Sequence, residues 1–91
     1  MQKEITIEYI SGDKAVFTAY PPDFAKWEKE TGKASSEISK LWDILFIAYS
    51  AYKREAAGKP VKHFEAWMDS VADVKVSAED PKAMSAEVSA D

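Results

Sequence analysis

Ninety-one residues, 46% hydrophobic and 31% charged, have the composition of one small globular domain, and three Trp, four Tyr and four Phe supply the large burial per side chain such a domain needs. Sixteen acidic against twelve basic residues leave a net charge of −4, and Lys26, Lys29 and Lys33 alternate with Glu28 and Glu30, a pattern that argues against a nucleic-acid-binding face. The absence of cysteine excludes disulfide staples and thiolate metal sites and fits a reducing compartment.

The chain enters a strand pattern directly after Met1-Gln2-Lys3-Glu4, with no basic-then-apolar leader, so no signal peptide is expected. Residues 4–10 alternate, with Ile5, Ile7 and Tyr9 opposing Glu4, Thr6 and Glu8, the period of a half-buried strand. Ser11-Gly12-Asp13 is a turn cluster, and 14–20 alternates again with Ala15, Phe17 and Ala19 on one side, so the two strands form a hairpin. Pro21-Pro22 ends the second strand because proline cannot donate to a ladder, and Pro22 suits the first turn of a helix. That helix is expected over 22–31, with Phe24 and Trp27 one turn apart on its buried side and Gly32 as the stop.

Residues 36–57 read as a long helix capped by Ser35 or Ser36 and closed by Gly58-Lys59-Pro60. Wound at about 3.6 residues per turn, Ile38, Leu41, Trp42, Leu45, Ala48, Tyr49 and Tyr52 share one broad face. Ile44, Ile47 and Ala51 form a second apolar face, Phe46 widens the arc, and Ser39, Asp43, Ser50 and Arg54 are the stripe left for water. A surface helix normally carries a single apolar stripe. This one calls for cover on two sides, from a second copy of the chain or a partner's apolar segment, which favours a binding protein over an enzyme. Asp43 interrupts the apolar run, which falls short of the ~20 residues that span a bilayer, so no membrane span is expected.

A third helix is predicted over 61–72 from Phe64, Trp67, Met68 and Val71 at helical spacing, and Val74-Lys75-Val76 is a brief alternating run that adds a third strand near 74–76. Residues 77–91 hold Ala, Ser and acid with only Met84 and Val88 as bulky apolar side chains, and read as a disordered acidic tail. The expected fold is therefore α+β: an N-terminal β-hairpin packed on three α-helices in one domain over 1–76, followed by the tail.

No catalytic, cofactor or metal site is expected. His63 is the only histidine and falls on the polar side of its helix; Asp69 and Asp73 lie one helical turn apart without a second acid cluster. The glycines are isolated turn residues, and no base accompanies the serines. Trp27, Trp42, Trp67, Phe24 and Phe64 read as core. Ile44, Ile47 and Ala51 are candidates for contact with another chain, with Phe46 beside them and Tyr49 and Tyr52 on the border, where tyrosine tolerates a half-wet position. Burial under the hairpin or the Phe24/Trp27 helix is the alternative for Ile44, Ile47 and Ala51.

Four segments in this order resemble a family. They are the hairpin Ile5-Thr6-Ile7-Glu8-Tyr9 through Val16-Phe17, and the helix Asp23-Phe24-Ala25-Lys26-Trp27 running to Gly32-Lys33. The segments Ile47-Ala48-Tyr49-Ser50-Ala51-Tyr52-Lys53-Arg54 and Phe64-Glu65-Ala66-Trp67-Met68-Asp69-Ser70-Val71-Ala72-Asp73-Val74-Lys75-Val76 complete the set. Together they resemble the small tail assembly chaperones of long-tailed, siphovirus-type bacteriophages, with departures at Pro21-Pro22 and in the extra bulk of Phe46 and Ile47. The resemblance implies a protein that binds the long, helical, aggregation-prone tape measure protein and keeps it soluble while tail tube subunits polymerise around it. It further implies action in the host cell cytoplasm, absence from the mature virion, and a longer frameshifted form whose extension would follow the 77–91 segment. A homo-oligomer is expected, and a small structural or connector-type protein that builds such an oligomer is the competing reading.

Overall fold

A computed structural model describes residues 2–77. Strands β1 (Lys3–Tyr9) and β2 (Lys14–Ala19) form the hairpin, followed by helix α1 (Pro21–Thr31), a short 3₁₀ turn (Ser35–Glu37), helix α2 (Leu41–Ala56), helix α3 (Phe64–Met68) and strand β3 (Val71–Val76). The architecture is α+β. The sheet is antiparallel in the order β2-β1-β3, so the first strand of the hairpin lies in the centre. Ile5 pairs with Phe17 on one side and Val76 on the other, and Ile7 with Ala15 and Val74. The disordered-tail expectation falls, apart from Ser77, on residues outside those described.

The alternation in the hairpin decides the layering. Ile5, Ile7, Phe17 and Ala19 point inward and are buried, together with Phe24 and Trp27 of α1, Leu45, Ile47, Ala48 and Ala51 of α2, and Trp67 of α3. The opposite sheet face carries Thr6, Glu8, Lys14, Asp73 and Lys75 around a shallow hollow. One sheet face and three helices thus enclose a single core, as expected of a half-buried antiparallel sheet.

Two predicted boundaries are corrected. The long helix begins at Leu41, five residues after Ser36, because Ser35–Glu37 forms its own turn and Lys40 is extended at φ −94°, ψ 153°. Neither Ser35 nor Ser36 caps it. The Asp43 carboxylate accepts the N–H groups of Ser39 at 3.2 Å and Lys40 at 3.0 Å, and Ser35 instead donates through N and Oγ to Glu28 of α1 at 2.8 and 2.7 Å. The third helix spans only 64–68 rather than 61–72, and Val71 belongs to β3 opposite Tyr9. The Ser70 hydroxyl donates to Trp67 O and Ile10 N–H to Ser70 O, which turns the chain back into the sheet. Asp69 ends α3 and Asp73 sits in β3, so the two acids do not share a helix face.

Of the predicted polar stripe, Ser39 and Arg54 are exposed, but Asp43 and Ser50 do not face water. Asp43 and Ser50 are buried against α1, where Asp23 is fully buried (0% exposed). Ser50 Oγ donates to Asp23 at 2.7 Å, the Arg54 guanidinium pairs with the same carboxylate, and the Trp27 indole N–H donates to Asp43 at 3.0 Å. Each buried polar atom named here has a partner, as burial requires. The chain's own α1 and sheet cover two sides of α2, burying Leu45, Ile47, Ala48 and Ala51.

Candidate docking groove

The helices do not roof the whole sheet. Helix α2 packs along β2, and its first turns project over the β3 side without closing on it. Between them runs an open groove of about 780 Å³. Ile5 and Val76 form its sheet side, Ile38 and Ile44 its wall, Phe24 and Ile47 its floor, with Lys3, Ser35 and Ser36 at the rim. Further along β3 a second hollow of about 440 Å³ lies among Leu41, Leu45, Met68, Val71 and Val74. Leu41 at 62% and Val76 at 41% exposure are the apolar side chains most open to solvent near these hollows.

The six residues expected to contact another chain separate into three groups. Ile44 is half-buried and stands in the groove wall. Ile47 (1% exposed) and Ala51 (0%) lie in the core, so for these two the interface expectation is corrected in favour of burial inside the chain. Phe46, Tyr49 and Tyr52 are half-buried in an aromatic cluster on the side of α2 that meets α3. Phe46 stacks on Trp42 with centroids 5.3 Å apart, Tyr49 lies 5.3 Å from Phe64, and Tyr52 sits 6.0 Å from Trp67 and 5.5 Å from Phe17. The Tyr49 hydroxyl donates to Lys62 O, which fastens the segment before α3.

Trp27, Trp67 and Phe24 are core as expected, whereas Phe64 is half-buried and Trp42 is exposed. Trp42 occupies the first turn of α2, where Phe46 stacks on it and Phe64 meets it edge-on. Ile38 and Val76 complete the groove but were not among the expected contact residues. Ile38 precedes α2 instead of lying on it, and Val76 reaches the groove through the pairing of β3 with β1.

The polar seam beneath the groove has defined charges. Burial pushes the Asp43 carboxyl up, but the N–H bonds from Lys40 and Ser39, the Trp27 indole and the charge of Lys33 outweigh it, and the group ionises below its usual range. The Ser35 hydroxyl and amide hold Glu28 below its usual range as well. Arg54 is held more firmly protonated by its bond to Asp23. None of these groups faces the groove lining, and His63 is exposed at the start of α3. Among the described residues no group of His, Cys, Asp or Glu could hold a metal ion, and no helix is long and apolar enough to cross a membrane. In comparisons with known proteins, no family model, no curated protein and no solved structure matches the chain.

Proposed function

We propose that this chain is a binding protein that shelters an apolar helical segment of another polypeptide, acting as a phage tail assembly chaperone for the tape measure protein in the host cell cytoplasm. The open apolar groove beside Ile38, Ile44 and Val76 carries this reading. A groove of this shape suits the helix-in-groove mode, in which a few side chains at i, i+3, i+4 and i+7 anchor an amphipathic helix. The acidic balance of the chain, −4 overall, would keep a complex with an aggregation-prone helix dispersed. The resemblance of the four segments suggests the partner, and the open groove supports the choice of site.

The test is co-expression with the tape measure protein of the same genome, scoring how much of that protein stays soluble and co-purifies. Rescue that is lost in Ile44→Asp and Ile38→Asp, with the circular dichroism of the chain unchanged, supports the groove as the site. No rescue by the unaltered chain, together with a defined oligomer of the chain alone, would instead favour the structural reading.

A further inference from the structure

The two edges of the sheet are not alike. On β2 the outward-facing backbone of Thr18 is occupied, because its N–H donates to Glu55 at 3.4 Å and its carbonyl accepts Arg54 Nη2 at 2.8 Å. The end of α2 therefore guards that edge. On β3, Ser77 N–H donates to Glu4 O, so Ser77 turns its backbone toward β1. In an antiparallel ladder successive residues alternate in this respect. Val74 and Val76 accordingly turn their N–H and C=O groups away from the sheet. Among the described residues, Val74 N–H meets only the Asp73 carboxylate, at 2.9 Å. Unpaired strand edges of this kind are templates for another strand.

We infer that the β3 edge pairs with the β3 edge of a second copy of this chain, in an antiparallel, two-fold symmetric arrangement centred on Val74. Charge selects the occupant and the register. Asp73 and Lys75 share the outer sheet face with Thr6, Glu8 and Lys14. Centring on Val74 sets Asp73 opposite Lys75 of the second copy, and the symmetry repeats the pair. A register centred on Asp73 or on Lys75 sets like charges directly opposite, which is destabilising. Of these three registers, which the backbone ladder admits alike, only the one centred on Val74 sets opposite charges together. As it forms, the Asp73 carboxylate leaves Val74 N–H for Lys75 of the second copy, and the freed amide joins the new ladder. Val76, 41% exposed in the single chain, comes to lie beside Ala72 of the second copy. The inference does not rest on the groove reading, since it is argued from the strand edge, although Val76 belongs to both.

Light scattering on the full chain over a range of concentrations tests it. A species of twice 10.2 kDa is expected. Asp73→Lys alone and Lys75→Asp alone should each weaken it by roughly tenfold or more, since each turns both attractive pairs into repulsive ones. Mixing the two single variants should restore a dimer, as should the double variant Asp73→Lys/Lys75→Asp. Val74 and Val76 amides should exchange more slowly as dimer accumulates, and circular dichroism should show every variant folded. A monomer at all concentrations overturns the inference, as does an oligomer indifferent to both charge reversals. So does dimerisation by residues 1–77 where the full chain stays monomeric, which would place the chain's own 78–91 segment on the edge, or a β3 edge that binds a strand of another protein in preference to itself.

Discussion

The indole nitrogen of Trp27 lies 3.0 Å from Oδ1 of Asp43, joining the middle of α1 to the first turn of α2. The same carboxylate receives Ser39 and Lys40 N–H through its other oxygen, so one side chain both starts α2 and fixes its distance from α1. Trp27→Phe keeps most of the apolar bulk but leaves the buried carboxylate short of a donor. It should cost about 1–3 kcal/mol in urea unfolding.

Asp43 also sets an acid limit on stability. Its folded-state pKa lies below the ordinary value of 3.8. A depressed carboxyl contributes stability that is fully present above its unfolded value and is lost as pH falls through the folded one. Unfolding free energy of the native sequence should therefore decline as pH drops below about 4. Asp43→Asn should be less stable at neutral pH and show a shallower decline, measured by denaturant titration at a series of pH values.

Arg54 neutralises Asp23, which has no other cation bonded to it among the described residues and is fully buried. Removing the guanidinium in Arg54→Met strands that carboxylate with Ser50 and Tyr20 N–H alone. Breaking a wholly buried pair costs about 3–5 kcal/mol; Arg54 is partly exposed, so a loss of about 2 kcal/mol is expected in equilibrium unfolding. Asp23→Asn combined with Arg54→Met should recover part of it, because the uncompensated charge is then absent.

Helix α2 ends at Ala57 in the left-handed region, φ 53° and ψ 46°, a conformation that strains an L side chain. Ala57→Gly should raise stability by about 0.5–1 kcal/mol, seen as a melting temperature several degrees higher. The gain should leave partner binding unchanged, since Ala57 lies at the end of α2 away from the groove.

Ile44 and Ile47 are three residues apart on α2 yet have different tasks. Ile47→Asp places a charge among core side chains and should abolish cooperative thermal unfolding. Ile44→Asp borders the open groove and should leave a folded protein. Circular dichroism melts of the two variants distinguish floor from wall directly.

Much of the fold was legible in the chain because local pattern and tertiary demand coincide in the hairpin and α1. Ile5, Ile7, Phe17 and Ala19 alternate, and the same alternation seats them on the core. Legibility failed where distant residues decide. Asp43 and Ser50 look solvated on a helical wheel, and only their bonds to Trp27 and Asp23, 16 and 27 residues away, explain their burial. Val71 continues a helical spacing from Phe64, but pairing with Tyr9 across the sheet outweighs it. The groove was half-legible. Ile44 was singled out, whereas Ile38 and Val76 enter it through a break before α2 and a strand pairing that no local pattern encodes.

The guard that Arg54 and Glu55 set over Thr18 limits how far this chain can grow. A sheet with two open edges adds copies at both ends and lengthens into a filament. With β2 covered at Thr18, the pairing inferred at β3 would use the less guarded edge of each molecule, and growth would be checked at the first partner. Substituting both Arg54 and Glu55 would then do more than loosen α1 from α2: it would convert a closed pair into a chain that can elongate.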